Sequence, residues 1–183
     1  MTDLRIATLH RVTSETDIRL TVNLDGTGQA SVDTGIGFFD HMLTALAKHG
    51  MLDLDIVAKG DLEVDFHHTV EDVGITLGQA VKQALGDKRG VRRFGHALVP
   101  LDEALSEVVV DLSGRPFLEW SVTFPTEKIG VMDTELFEEF FRAFSMAALM
   151  TLPVPRKTGR NSHHHTVSAV KAPAPASPMA VCA

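Results

Sequence analysis

Two histidine pairs stand out in the sequence, His67-His68 in HHTVED and His163-His164 in HHHTVS. On a helix, residues four apart lie one above the other, whereas neighbours diverge by about 100° around the axis. His67 and Glu71 could therefore share one metal ion, while His68 would point toward a different one. If the second pair lies on a helix that packs against the first with approximate two-fold symmetry, the pattern predicts two metal ions.

The donor types narrow the choice of metal. Cys182 is the single cysteine, so an internal disulfide and a thiolate-based zinc site are both excluded. Imidazole and carboxylate suit Mn, Fe or Zn, and a mixed set with room for water or substrate favours a six-coordinate ion such as Mn. The residues alone do not choose among these metals.

His41 is a third candidate ligand, in the segment GFFDHML. It lies close to the apolar stripe of a predicted helix, where a histidine is often only a hydrogen-bonded core residue. A lone H-x-x-x-E spacing also occurs often by chance. Two His-His pairs at matching places of a repeat favour a metal site over a core histidine and over a chance spacing.

Apolar periodicity predicts the elements that must position these residues. In the first half it indicates three strands, a helix, a fourth strand and a second, longer helix. Gly50 is expected to stop the first helix and Gly86 the second. The predicted bounds are Arg5–Val12, Ile18–Leu24, Gln29–Asp33, Gly37–Lys48, Leu52–Ala58 and His67–Leu85.

The second half repeats this order, and the shared His-His-Thr indicates internal duplication. We predict an α+β fold of two βββαβα half-domains, residues 1–90 and 91–183, whose two sheets pack against a central layer of helices. The predicted second-half elements are strands Phe94–Val99, Leu105–Leu112 and Phe117–Phe124, helix Thr134–Met150, strand Thr151–Val154 and a final helix from about His163.

Six blocks of the sequence resemble the imidazoleglycerol-phosphate dehydratase family. They are RVTSET at 11–16, GFFDHML at 37–43, HHTVED at 67–72, RFG at 93–95, DLSGRP at 111–116 and GRNSHH at 159–164. The resemblance implies a hydro-lyase of histidine biosynthesis that dehydrates D-erythro-imidazole-glycerol phosphate to imidazole-acetol phosphate. It further implies a metal-stabilised imidazolate and two Mn²⁺ ions per active site.

The resemblance also implies roles for individual residues. One ion would be held by His67, Glu71 and His164, and the other by His41, His68 and His163. The catalytic set would be Glu15, His41, His67, His68 and Glu71, with Glu15 as the general acid or base. The substrate contacts would be Glu15, His49, Arg93, Arg115 and Lys171. The arginines would grip phosphate, because the guanidinium fork matches its oxygens. Without the resemblance, Arg115 and Glu15 would be interpreted as solvated turn residues.

The C-terminal part departs from the family pattern. Val167 stands where the second HHxxE motif has its carboxylate, and Glu139 replaces the second-half equivalent of His41 as a candidate ligand. Three prolines between residues 173 and 178 disfavour the last helix, at about 3 kcal/mol each. The family's Ser-x-Lys phosphate-binding segment is missing, so residues 165–183 are expected to form an atypical tail. Either activity is impaired or the tail sequence is scrambled, and resequencing the coding DNA would decide.

Composition gives the expected setting. A net charge of -7 offers no electrostatic reason to expect nucleic acid as a partner. The N-terminal residues lack the apolar segment of a signal peptide, and no later run is long enough to span a bilayer. We therefore expect a cytoplasmic protein with no membrane partner. The family's sites form between subunits, which implies a homo-oligomer of 24 chains with octahedral symmetry that binds a phosphorylated imidazole substrate.

Two other functions use the same residues. A two-metal hydrolase would activate water with these ligands and release inorganic phosphate. A metal-binding oligomeric scaffold would retain the ions but lack turnover because of Val167. Product analysis distinguishes the hydrolase from the dehydratase, and an activity assay with added manganese distinguishes the scaffold from both.

Overall fold

A computed structural model describes residues 4–158 together with Asn161, Ser162, His164 and Thr166. The first half contains six elements in the predicted order, and their strands alternate buried and exposed side chains as the sequence pattern requires. These elements are β1 (Ile6–Val12), β2 (Thr16–Asn23), β3 (Ala30–Asp33), α1 (Gly37–Gly50), β4 (Asp53–Gly60) and α2 (His67–Leu85).

The second half repeats the arrangement with additions. Beyond these elements, Ser162, His164 and Thr166 are helical, where the final helix was predicted. The elements are β5 (Phe94–Leu101), β6 (Ala104–Asp111), β7 (Phe117–Trp120), β8 (Lys128–Ile129), β9 (Met132–Asp133), α3 (Glu135–Ala148), β10 (Thr151–Val154) and β11 (Arg156–Thr158).

Each half builds the same sheet. The first has the order β1-β2-β4-β3, with β3 parallel to β4 and the other pairs antiparallel. The second places β5, β6, β10 and β7 equivalently, with β7 parallel to β10, and β11 pairs with β6 beyond Pro155. Between the sheets, α2 contacts β1 and β2 and packs on α3, which contacts β7. The α+β fold with duplicated halves is therefore confirmed, while the domain boundary at residue 90 stays a prediction.

Two glycines let α2 and α3 approach closely. A Cβ on Gly74 would lie 2.8 Å from the carbonyl oxygen of Phe140, and one on Gly78 would lie 2.6 Å from that of Phe144. Real side chains do not tolerate such contacts, so each position requires glycine. The close approach fixes the helix that carries His67 and His68 against the second half.

The predicted stop of α1 at Gly50 is wrong. Gly50 is the last, buried residue of the helix, and Met51 adopts the left-handed conformation with φ 53°. The N–H groups of Met51 and Leu52 both donate to the Ala47 carbonyl, and Leu52 is buried just beyond. This burial offsets the cost of a non-glycine residue there. In the second half Leu149 ends α3 in the same way, also with φ 53°.

The strand predicted at Phe117–Phe124 ends earlier than expected, at Trp120. Its parallel partner β10 pairs with it as far as Val154↔Trp120, and Pro155 then interrupts β10. The residues after Trp120 therefore have no continuing strand with which to form ladder hydrogen bonds. The hairpin of β8 and β9 was not predicted, because two-residue strands carry no periodic signal. Among the described residues, no helix has the length and apolar character needed to cross a membrane.

Candidate metal and substrate site

The first turn of α2 presents His67 and Glu71 on one face. His67 Nε2 lies 3.9 Å from Glu71 Oε2, and each side chain is 44% exposed. Just before the helix, Asp65 Oδ1 accepts the backbone N–H of His67 at 2.8 Å, so one of the N–H groups left without a partner in the helix is satisfied. The buried Thr69 packs tightly on Gly60. A Cβ added at Gly60 would overlap the hydroxyl group of Thr69. The start of α2 is thereby fixed against the end of β4.

His68 is held in a different direction from its neighbour. Its Nδ1 lies 2.9 Å from Asp61 Oδ2, and the rings of His67 and His68 are 6.2 Å apart and nearly perpendicular, at 86°. The hydrogen bond to Asp61 raises the pKa of His68, and the charges of Asp61 and Glu15 add to this effect. The adjacent imidazoles can therefore serve two separate partners.

Glu15 lies in the turn between β1 and β2, with its carboxylate near His68. Ser14 Oγ donates to Glu15 Oε1 at 2.7 Å, and Thr13 Oγ1 accepts the Glu15 backbone N–H at 3.2 Å. The Ser14 hydrogen bond is the main cause that lowers the pKa of Glu15, and the charge of His68 lowers it further. Glu15 is thus an exposed carboxylate that is ionised at neutral pH and can accept a proton.

A buried carboxylate joins this turn to α2. Asp72 is 7% exposed, and its Oδ1 accepts a hydrogen bond from Arg11 Nε at 3.0 Å and forms an ion pair with Arg11 Nη2 at 2.8 Å. Its Oδ2 accepts from Thr16 Oγ1 at 2.5 Å and Thr13 Oγ1 at 3.4 Å. Asp72 therefore fixes both ends of the turn that carries Glu15 against the helix that carries the candidate ligands.

His41 and Glu139 occupy equivalent places, each the fifth residue of its helix, α1 or α3. His41 is exposed, with its ring 6.4 Å from that of Phe38, so the alternative of a core histidine is excluded. Glu139 is half-buried, with Oε2 3.8 Å from Arg142 Nε. His49, a predicted substrate contact, is exposed in the last turn of α1.

The two arginines predicted to bind phosphate converge on one carboxylate. Arg93 donates to Asp111 through Nε at 2.6 Å and Nη2 at 3.1 Å, and its guanidinium lies 4.8 Å from the ring centre of Phe94. Arg115 Nη2 lies 4.0 Å from Asp111 Oδ2, and the Arg115 side chain is 74% exposed. The hydrogen bonds of Arg93 lower the pKa of Asp111. Asp111, the last residue of β6, thus lies close to both guanidinium groups.

In the second half, His164 lies between two carboxylates of the β5–β6 turn. Its Nδ1 is 2.7 Å from Glu103 Oε2, and its Nε2 is 3.5 Å from Asp102 Oδ2. The Asp102 side chain is 72% exposed, so the longer contact is the weaker one. His163 and Lys171, together with Val167 and the tail, lie outside the described residues.

The predicted ligand sets do not converge within the described part of one chain. No group of three or more His, Cys, Asp or Glu side chains there could hold a metal ion. The structure brings His67 to Glu71, whereas His68 and His164 are each paired with a carboxylate that was not predicted.

Sequence reasoning missed Asp61, Glu103, Asp72 and Asp111. Asp61 precedes His68 by seven residues across a short turn, so a carboxylate shortly before HHT was an available signal. Glu103 lies 61 residues from His164, and only the folded chain brings the two together. These carboxylates orient the predicted residues rather than replace them.

Solved structures share the fold along nearly the whole chain. Imidazoleglycerol-phosphate dehydratase from Staphylococcus aureus aligns with a TM-score of 0.89 at 38% identity, over 97% of this chain and 99% of that one. The Pyrococcus furiosus protein, in complex with (S)-C348, aligns with a TM-score of 0.84 at 33% identity, over 95% and 93%. The fold is that of the dehydratases.

Sequence comparison gives the same result. The imidazoleglycerol-phosphate dehydratase family model matches residues 34–176. The dehydratase of Gluconacetobacter diazotrophicus is 70% identical over 98% of this chain and 91% of its own length, and that of Gluconobacter oxydans is 66% identical over 99% and 91%. The chain belongs to the imidazoleglycerol-phosphate dehydratase family. It is therefore an enzyme, a dehydratase of histidine biosynthesis.

Proposed function

We propose that this enzyme removes water from D-erythro-imidazole-glycerol phosphate to give imidazole-acetol phosphate, with the help of two Mn²⁺ ions. The observation that supports this most is the first turn of α2. There His67 and Glu71 share one face, while the ring of His68 is held nearly perpendicular to that of His67. Such a turn can contribute to two metal sites that flank one azole ring.

The donors present fit divalent manganese. Imidazole nitrogens and carboxylate oxygens are ligands that Mn²⁺ accepts, and the half-exposed positions leave room for water or substrate. His67, Glu71 and His164 would hold one ion, and His41, His68 and His163 the other, with Glu139 as a further ligand. When bound, the ions would stabilise negative charge on the substrate imidazole.

The remaining roles belong to side chains of the chain itself. Glu15, kept ionised by Ser14, would accept a proton from a substrate carbon and give it to the departing hydroxyl group, which leaves as water. Arg93 and Arg115, with His49 and Lys171, would bind the substrate, the two arginines at its phosphate. The ring-bearing end of the substrate would then lie toward α2, where the histidines are.

We infer that the active site forms between chains of a homo-oligomer, with 24 chains in octahedral symmetry. Within the described residues of one chain, the predicted ligands do not form a group that could hold a metal ion, and sharing of donors between chains would account for this. Phe94, Leu98 and Phe117 are also exposed on the second sheet, each by more than half. Large exposed apolar side chains such as these could be covered by a neighbouring chain. A cytoplasmic location remains part of this proposal.

The test is product analysis with the purified chain, added Mn²⁺ and D-erythro-imidazole-glycerol phosphate. We expect a ketone product at a rate that rises with manganese and falls on chelation. Release of inorganic phosphate would instead identify a two-metal hydrolase. Metal uptake with no product at any manganese concentration would identify an inactive scaffold, which is the outcome that the altered residue 167 makes worth testing.

A further inference from the structure

Each half of the molecule holds one candidate ligand histidine through a carboxylate at Nδ1. His68 Nδ1 lies 2.9 Å from Asp61 Oδ2, and His164 Nδ1 lies 2.7 Å from Glu103 Oε2. The two carboxylates come from different elements, since Asp61 follows β4 whereas Glu103 lies between β5 and β6. The two halves thus reach the same pairing of a histidine Nδ1 with a carboxylate by different routes.

The Asp61 carboxylate is not accounted for by stability. Its Oδ1 atom is buried and has no hydrogen-bond partner among the described residues, an arrangement that costs free energy of folding. The Oδ2 atom contacts the ring of His68. A partly buried carboxylate whose Oδ1 has no described partner is better explained by what its Oδ2 does to that ring.

We propose that Asp61 and Glu103 are positioning residues that fix His68 and His164 to bind metal through Nε2. A carboxylate at Nδ1 accepts the ring proton there, so the lone pair is on Nε2 and the ring cannot rotate. In the second half, the exposed Asp102 side chain must move away from His164 Nε2 when the ion binds. This inference rests on the proposed metal site and names two residues that the family resemblance did not assign.

The test is the affinity of the purified, metal-stripped full chain for Mn²⁺, measured by titration calorimetry. Asp61→Ala and Glu103→Ala should each weaken binding about 10- to 100-fold, and Asp61→Asn, which keeps an acceptor oxygen, should lose less. Matched controls remove carboxylates from histidines outside the site. Asp17→Ala ends the contact with His10 at 2.7 Å, and Glu107→Ala ends that with His96 at 3.0 Å. Both should bind manganese as the unaltered chain does.

The outcomes separate this inference from the proposed function. If the unaltered chain binds manganese and the Asp61 and Glu103 variants match their controls, the inference is overturned while the metal site stands. If the unaltered chain takes up no manganese, both fall. Should the alanine variants not fold, nitrogen NMR of the histidine-labelled unaltered chain decides. Ligation of His68 through Nε2 with a protonated Nδ1 supports the inference, and ligation through Nδ1 refutes it.

Discussion

At the scale of single residues, Glu15 has the most direct role in the proposed reaction. It is exposed, so its replacement should leave folding intact, and no metal-ligand role is proposed for it. Glu15→Gln should abolish turnover without changing manganese content, because an amide cannot accept the proton. Parallel rate and metal measurements check this. Loss of manganese together with activity would mean that Glu15 is a ligand instead.

Arg115 offers a test of phosphate binding. Its guanidinium is mostly exposed and 4.0 Å from Asp111, so little structure depends on it. Arg115→Lys keeps the charge but loses the fork, and KM should rise roughly tenfold with a smaller change in kcat. Arg89→Lys is the control, because the Arg89 side chain is 90% exposed and pairs with the likewise exposed Asp87. Equal KM values for the two variants would remove Arg115 from the substrate site.

At the scale of elements, Asp53 organises the connection from β2 to β3. It accepts the backbone N–H groups of Thr27 at 2.8 Å and Gln29 at 3.0 Å, and these bonds lower its pKa. A lowered pKa in the folded state gives stability above the unfolded pKa that is lost as pH falls through the folded value. Asp53→Asn should therefore unfold more easily near neutral pH.

Urea unfolding across pH measures this effect. The stability gap between Asp53→Asn and the unaltered chain should shrink as pH falls toward about 3. Asp55→Asn, an exposed change on the same strand, should show no such pH-dependent gap. A gap that stays constant with pH would mean that the loss comes from altered packing and not from the charge.

Because α2 and α3 are in close contact, adding one methyl group between them should lower the free energy of unfolding. Gly78→Ala would place a Cβ 2.6 Å from the Phe144 carbonyl oxygen and 2.8 Å from Ala147 Cβ. Because a backbone atom must move, we expect a loss of about 1–3 kcal/mol in unfolding free energy. Gln79→Ala, on the exposed face of the same helix, should change it by less than about 0.5 kcal/mol. Similar values for both would show that the helices are not in close contact.

The elements that could be predicted from the sequence are those in which apolar residues recur at a regular spacing over many positions. The length of α2 and the shared order of the two halves follow from apolar spacing alone. The end of β7 does not, because it is set by Pro155 on a strand over thirty residues later. Nor does the end of α1, where the burial of Leu52 stabilises a left-handed Met51 in place of the expected glycine.

Part of the candidate site could also be predicted, because it depends on residue spacing within a single helix. Spacing along one helix placed His67 beside Glu71 and turned His68 away. The partners of the histidines depend on tertiary contacts, as Glu103 does with His164, and no local pattern reports them. In the proposed assembly, the closing of the two predicted ligand sets around metal would depend on neighbouring chains, which a single sequence does not describe.

At the scale of the whole molecule, assembly and metal binding should be linked. If each site takes donors from more than one chain, removing the ions removes contacts between chains. Chelation should therefore shift the assembly toward smaller species in light scattering, and added Mn²⁺ should restore it. A chain that stays monomeric while it binds manganese fully would contradict the proposed shared site.

The most direct test of the central claim is the manganese content of the purified assembly, measured by elemental analysis after reconstitution and removal of free metal. Each proposed ligand occurs once per chain, so two ions per site correspond to two ions per chain. The account predicts a ratio near two that drops by half or more in a His67→Ala, His68→Ala double variant. A ratio near zero in the unaltered protein, with the fold intact, would contradict it.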